Sequence, residues 1–328
     1  MRAVPLKITA FSFNATAATE HVISVTEALN LPAGHITWLN IEGLDRDKVP
    51  EIGKRFDVHP LLIEDILEVG QRAKMDEIGQ TVFCLLPMLY YNEDTGLVES
   101  EQVSLVLVAD AVLSFQEEEE RDVFGPVRAR LSSPAGRART ATADYLLYSL
   151  LDAIVDSYFT IIERLDERAE RLEYDILHDV RITGNTKVAL LRREILTIAR
   201  AIAPVREVVN GLLRSDSDLR VERNNKYYKD VLDHILHAID AADALRDTTS
   251  NLQELVMNQV NMKTNEIVKV FTIITTLLAP ATVIGGIFGM NFDVIPLSHQ
   301  QDGFFTMVAL MLIIPLIMLW IFKRKGWF

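Results

Sequence analysis

Val270-Phe271-Thr272-Ile273-Ile274-Thr275-Thr276-Leu277-Leu278-Ala279-Pro280-Ala281-Thr282-Val283-Ile284-Gly285-Gly286-Ile287-Phe288 is a run of 19 residues without a charge, and Gly289-Met290-Asn291 follows it at once. A helix of ~20 apolar residues spans the hydrocarbon core of a bilayer, so length alone makes this run a transmembrane candidate. Pro280 would break a helix in water, but neighbouring helices in a membrane bundle accommodate it. A second uncharged run of 19 residues, Phe304–Phe322, lies just downstream and contains Pro315. Two such runs, the second ending in Lys323-Arg324-Lys325, outweigh the reading of either as a buried core helix. The connector, residues 289–303, has neither Lys nor Arg. The positive-inside rule therefore predicts that the connector lies outside and both chain termini lie in the cytoplasm. Trp327 and Phe328 are candidate interfacial anchors.

Upstream of the first run, no Gly or Pro occurs from Lys226 until Pro280. Val231, Ile235, Ala238, Ala242, Leu245, Leu252 and Val256 follow alternating spacings of four and three, with Thr249 in the remaining slot. That is a heptad seam, and it predicts one helix from Lys226 to Phe288, roughly 95 Å long at ~1.5 Å per residue. Only ~30 Å of it fits in a bilayer, so most of it is expected to form a cytoplasmic stalk.

The first span also carries a stripe of small and polar residues: Asn265, Thr272, Thr275, Ala279, Thr282 and Gly286 recur at spacings of three, four or seven. Such a stripe lets helices pack closely, or it lines a narrow wet path. Two helices per chain cannot enclose a pore, so a pore requires an oligomer with cyclic symmetry. The second span is bulkier and uniformly apolar, as expected of an outer, lipid-facing helix.

The remaining chain divides by pattern. Residues 1–142 read as a cytoplasmic α/β domain, with strands at Ile36–Ile41, Val82–Leu86, Val103–Val108 and Val112–Phe115 and a hairpin at Ala109-Asp110. Helices are expected at Lys48–Phe56, Pro60–Leu67 and Val123–Leu131, with Pro60 suited to a first turn. Residues 143–225 read as a helical hairpin: Tyr145–Leu177 has a broad apolar face, Gly184-Asn185 marks a turn, and Lys187–Leu213 follows with a kink at Pro204. Residues 226–288 are the stalk and first span, 289–303 the external loop, 304–322 the second span and 323–328 a basic tail.

Hydrophobic residues make up 49% of the chain and charged residues 24%, with a net charge of −13. From Gly289 onward the charge is +1, which leaves −14 on residues 1–288. An acidic body argues against nucleic acid and suits cationic partners, including metal ions. Cys84 is the single cysteine, so one chain can build neither a disulfide nor a cysteine zinc cluster. The first thirty residues lack the apolar core of a signal peptide. Glu64-Asp65, Asp152, Asp230 and Asp233 stand out as candidate cation ligands, against the alternative of a solvated acidic face. No Walker-type loop, G-x-G-x-x-G or H-E-x-x-H is present, and an enzyme is not expected.

Gly289-Met290-Asn291, placed directly after an apolar span and before a basic C-terminus, resembles the CorA family. The resemblance extends to His59-Pro60-Leu61-Leu62-Ile63-Glu64-Asp65-Ile66, Glu99-Ser100-Glu101-Gln102-Val103-Ser104-Leu105, Ala143-Asp144-Tyr145-Leu146-Leu147-Tyr148-Ser149-Leu150 and Lys263-Thr264-Asn265-Glu266, which look like the branch carrying magnesium and cobalt. It implies a funnel-shaped homopentamer in the inner (plasma) membrane, built from an α/β cytoplasmic domain, a long helical stalk and two transmembrane helices. The implied function is passive influx of Mg2+, and also Co2+, through a channel closed by cytosolic Mg2+. By the same resemblance, Gly289, Met290 and Asn291 form the selectivity filter, and Thr282, Ala279, Phe271 and Asn265 follow the pore inward with Phe271 as a constriction. Asp65 and Asp230 would hold regulatory Mg2+ across subunits, and Glu64 and Asp152 a second ion nearby. Lys323, Arg324 and Lys325 would form a basic ring. The chain departs from the family pattern at Phe288, where Tyr often stands, and at Leu297, where an acid is common.

Two other readings compete. A zinc transporter like the ZntB relatives would have a similar layout, but the seven histidines (His21, His35, His59, His178, His234, His237, His299) are scattered. A membrane-anchored scaffold would use the hairpin as an anchor only, and the polar stripe counts against it.

Overall fold

The computed structural model describes residues 5–28, 34–93, 95–118, 121–133, 141–178, 183–291, 293, 295–297, 300 and 302–327. Phe328 and His299 lie outside these residues. The described residues within Met1–Asp175 and Ile182–Leu252 form one compact unit, and those within Ile176–Arg181 and Gln253–Phe328 a second.

The first unit is built on a seven-stranded sheet. Its strands are β1 (Lys7–Phe13), β2 (Ala18–Ile23), β3 (Ile36–Glu42), β4 (Lys74–Ile78), β5 (Thr81–Asn92), β6 (Leu97–Val108) and β7 (Ala111–Gln116). They lie in the order β2-β1-β3-β7-β6-β5-β4. Every neighbouring pair is antiparallel except β3 and β7, which run parallel. The four strands expected from β-branched alternation fall inside β3, β5, β6 and β7, and β6 and β7 form the expected hairpin. Strands β1, β2 and β4 escape that pattern. β2 is an edge strand with an almost wholly exposed, polar composition, and β4 at the opposite edge is only half buried.

Alternation across the pleat gives the sheet two faces. Ile8, Ala10, Leu39, Ile41, Phe83, Leu85, Val106, Leu113 and Phe115 occupy one face. They pack against Ala28, Val49, Ile52, Leu62, Ile63 and Ile66 of three short helices, α1 (Val25–Ala28), α2 (Lys48–Arg55) and α3 (Pro60–Leu67). Helices α2 and α3 approach closely because a Cβ on Gly53 would meet Ile63 Cδ1 at 2.2 Å. The other face carries a buried polar row. Trp38 Nε1 donates to Ser114 Oγ at 2.8 Å, Ser114 Oγ to Asn40 Oδ1 at 2.6 Å, and Asn40 Nδ2 to Glu42 Oε1 at 2.8 Å. Trp38 also meets Phe124 edge-on at the start of α4 (Gly125–Ser132).

Helix α5 (Ala143–His178) covers this second face, with Tyr158 donating to the Pro87 carbonyl at 2.5 Å. Its most apolar stretch has the length and composition of a membrane span, yet 72% of that stretch is buried inside the protein. It is therefore a core helix. Gly184 and Asn185, expected as a turn, instead sit in the first turn of α6 (Thr183–Ile202). First-turn N–H groups have no intrahelical partners, so poor helix formers cost little there. Pro204 interrupts the helix rather than kinking it: it sits at the N-cap of a separate helix, α7 (Val205–Arg214). Lacking an N–H, proline cannot complete the ladder, and the chain restarts. Arg168 of α5 grips Glu194 of α6 through two hydrogen bonds of 2.8 and 3.0 Å.

After a 3-10 turn at Glu222–Asn224, α8 runs without interruption over Asn225–Phe288, 64 residues. Its start is clamped to α5 by buried Asp144, which accepts from Asn224 Nδ2 at 2.7 Å, Val221 N at 3.2 Å, Tyr228 Oη at 3.1 Å and the Arg220 guanidinium. The Ala143–Leu150 motif is thus in part an anchor for the long helix. The heptad positions Val231, Ile235, Ala238, Ala242, Leu245, Thr249, Leu252 and Val256 are all buried within the single chain. The seam is covered by the chain's own residues, in part by α5, whose Tyr148 and Phe159 rings meet Tyr228 and His234.

In the second unit the upper part of α8 and helix α9 (Gly303–Arg324) carry the remaining apolar surface. Only 6% of the most apolar stretch of α8, and none of that of α9, is buried. Two helices this apolar and this exposed have the length to cross a membrane. The protein is therefore an α/β sheet domain followed by a long helix and a C-terminal apolar helix.

Candidate functional site

Asn265, Phe271, Thr272, Thr275, Ala279, Thr282 and Gly286 are all exposed along one side of α8. The threonine hydroxyls bond back to the helix: Thr272 to the Val268 carbonyl at 2.7 Å, Thr275 to that of Phe271 at 2.9 Å and Thr282 to that of Leu278 at 3.0 Å. A hydroxyl whose proton is so engaged offers its oxygen outward as an acceptor, which suits the hydrogens of a hydrated cation. At the end of the helix Gly289 N donates to Gly285 O at 2.9 Å and Met290 N to Ile287 O at 3.3 Å, so the helix closes there and leaves Asn291 exposed beyond it. Gly285 packs on α9, where its Cβ would touch Met311 at 3.6 Å. At the other end of α9, the Arg324 guanidinium lies 5.4 Å from the Trp320 ring centroid and Trp327 stacks on Phe322 at 5.1 Å. Lys323, Arg324 and Lys325 thus stand in an aromatic setting suited to a membrane interface.

The carboxylates belong to the first unit. Helix α3 begins where His59 Nδ1 accepts from Leu61 N at 3.2 Å, with Pro60 in the first turn. That start places Glu64 and Asp65 on its outer side. Glu64 lines an open cleft of about 990 Å³ together with Arg46, Lys54, Asp57 and Glu68. Asp65 is held by Lys74, whose Nζ lies 2.7 Å from Asp65 Oδ1.

Asp152 sits on α5 and faces α8. His234 Nδ1 lies 4.0 Å from Asp152 Oδ1 and 3.8 Å from Asp156 Oδ1, and the three side chains can offer ligand atoms within 4.8 Å of one another. The His234 Nδ1 atom is itself buried with no hydrogen-bond partner. Burial pushes the Asp152 carboxyl above its ordinary value. Asp156 and Asp230 add to the rise, while Arg130 and His234 oppose it. Tyr148, hydrogen-bonded to Asp152 at 3.4 Å, is likewise pushed up by burial and by that carboxylate. The structure therefore brings Asp152, Asp230 and His234 into one electrostatic neighbourhood. Among the described residues, no hydrogen bond or ion pair joins Glu64 or Asp65 to that group. Asp156 is the member that sequence reasoning missed. Its signal was its place four residues after Asp152, on the same helix face.

Residues 33–324 match the family described as CorA-like Mg2+ transporter protein. The chain belongs to the CorA family. It is 40% identical over 292 residues to the cobalt/magnesium transport protein CorA of Thermotoga maritima, covering 89% of this chain and 83% of that one. In structure it resembles the CorA magnesium transporter of Methanocaldococcus jannaschii, with a TM-score of 0.82 at 20% identity over 99% of this CorA chain and 100% of the other. The cytoplasmic domain of ZntB from Vibrio parahaemolyticus shares the soluble fold, with a TM-score of 0.63 at 13% identity over 79% of this chain and 100% of that one. That likeness concerns fold alone and does not separate a magnesium transporter from a zinc transporter.

Proposed function

We propose that this CorA chain forms a homopentameric channel for passive influx of Mg2+, and also Co2+, across the plasma membrane. The reading rests chiefly on one observation: an exposed apolar helix with a polar stripe ends in Gly289-Met290-Asn291, in a chain 40% identical to a cobalt/magnesium transport protein. Both termini lie in the cytoplasm, and residues 289–303 form the outer mouth.

Mg2+ gives up its water reluctantly, so a pore recognises it best as the hydrated ion. A ring of Asn291 carbonyl oxygens supplies neutral acceptors for those waters. The outward oxygens of Thr282 and Thr275 continue the acceptor path, and a ring of Phe271 closes it by excluding water. The regulatory ion would be Mg2+ held by carboxylates. Donors present on α5 and α8 fit such an ion: Asp152 and Asp156 offer hard oxygens, and the unpartnered His234 nitrogen suits Co2+ better than Mg2+. Glu64, Asp65 and Asp230 complete the set between neighbouring subunits, where like charges repel until a divalent cation joins them. Loss of that cation frees the subunits to part and the Phe271 ring to widen. A switch from mostly closed to mostly open requires ~5 kcal/mol of differential binding, which several weak sites around a ring supply together.

Flux of Mg2+, Co2+ and Zn2+ through purified protein in liposomes tests this reading. The wild type is expected to pass Mg2+ and Co2+ in preference to Zn2+, and Asn291→Ala to lose most Mg2+ flux. Normal flux through Asn291→Ala would remove that residue from the filter, and preferred passage of Zn2+ would favour the zinc transporter.

A further inference from the structure

The residue that holds Asp65 in the single chain is a lysine, and its placement follows from strand register. On β4, Lys74 and Asp76 are two apart and share a face. They pair with Leu85 and Phe83, which belong to the sheet face covered by α1–α3. The Lys74 side chain therefore rises beside α3, where its Nζ lies 2.7 Å from Asp65 Oδ1 and 3.8 Å from Asp76 Oδ2. β4 is the last strand of the sheet, and the lysine side chain is 34% exposed, so its four-carbon stem has room to move.

Asp65 has no such freedom. Gln102 Nε2 donates to the Asp65 carbonyl at 3.1 Å and to the Glu68 carbonyl at 3.2 Å, and Gln102 Oε1 accepts from Gln71 N at 3.1 Å. One carboxamide on β6 thus caps the C-terminal end of α3, whose carbonyls lack helical partners. The backbone under Asp65 stays in place while the partner of its carboxylate can change.

A divalent ion bound directly to Asp65 would sit ~2.1 Å from a carboxylate oxygen. It could not share Oδ1 with an ammonium 2.7 Å away without strong like-charge repulsion. Asp76 offers that ammonium a second anionic resting place on its own strand.

We propose that Lys74 is a tethered competitor for the cation site at Asp65. Its ammonium occupies the carboxylate in the metal-free state, passes to Asp76 when a divalent cation binds, and so raises the cation concentration at which the site fills. This rests on the reading of Asp65 as a cation ligand.

The test is a MgCl2 titration of the full-length protein in detergent, read as the midpoint of the Mg2+-dependent rise in Tm. Lys74→Gln is expected to lower that midpoint by ~5-fold, the scale of a partly exposed ion pair. Lys74→Arg, which keeps the charge, is expected to hold the wild-type midpoint. Asp65→Asn should raise the midpoint, and Lys74→Gln added to it should produce no further fall. Tm without Mg2+ reports whether each variant folds. An unchanged or raised midpoint in Lys74→Gln, with Asp65→Asn still weakening the response, overturns the competitor and leaves the Asp65 reading intact. An unchanged midpoint in Asp65→Asn overturns the Asp65 reading and the competitor with it.

Discussion

Glu101 is buried on β6, and its two oxygens meet different fates. Oε1 accepts from Glu117 N at 2.5 Å and Glu118 N at 2.9 Å, while Oε2 is buried without a hydrogen-bond partner. Burial outweighs those two donors and raises its pKa from 4.5 to about 7. A raised carboxyl favours the protonated folded state. Its stabilising effect is full below pH 4.5 and is lost as pH rises through about 7. Glu101→Gln keeps an acceptor for both N–H groups and removes the titration. Melting temperatures across this range are expected to fall less with rising pH in Glu101→Gln than in wild type. Parallel curves would place the titrating group elsewhere. Asp152 is buried and raised for the same reason, yet the more exposed His234 and Asp156 stand beside it. Burial that penalises a bare charge becomes useful where an ion can neutralise it.

Among the elements, α8 shows how one helix carries two tasks. Its N-terminal heptads are apolar and buried within the chain, and its C-terminal stripe is small, hydroxylated and exposed. The turn leading into α9 is more exacting. Leu297 adopts φ of 70°, in the left-handed region, and Gly303 fits only because it has no side chain: a Cβ there would lie 1.9 Å from Leu297 O. The obstacle is backbone and cannot rotate away. Gly303→Ala is expected to cost ~1–3 kcal/mol, seen as a lower Tm of the full-length protein in detergent. An unchanged Tm would mean that the turn yields freely. Leu297 holds a left-handed conformation that Asn or Asp adopts more readily.

For the whole molecule, the decisive quantity is net charge. Residues 1–288 hold an excess of acid, −14, and acidic faces repel one another until cations neutralise them. Asp230→Lys replaces one such acid with a built-in cation. It is expected to make the channel far less responsive to cytosolic Mg2+, measured as the Mg2+ dependence of flux in liposomes. A wild-type response would remove Asp230 from the regulatory set.

The sequence alone determined the apolar spans, the uninterrupted long helix and its heptad seam. Each is a local property: a run without charge, a run without Gly or Pro, a spacing of three and four. It also carried the family motif, because that motif is contiguous. Tertiary structure alone decided what covers the seam, since periodicity names a face and not its partner. It decided that the apolar stretch of α5 is core, because burial depends on neighbours. It separated α6 from α7 at Pro204 and drew Gly184 into a helix, where position within the element outweighs propensity. It brought Asp156 and His234 to Asp152 across two helices, and set Lys74 against Asp65 through the pairing of an edge strand. Charge partners are long-range facts, fixed by strand register and helix packing rather than by any pattern along the chain.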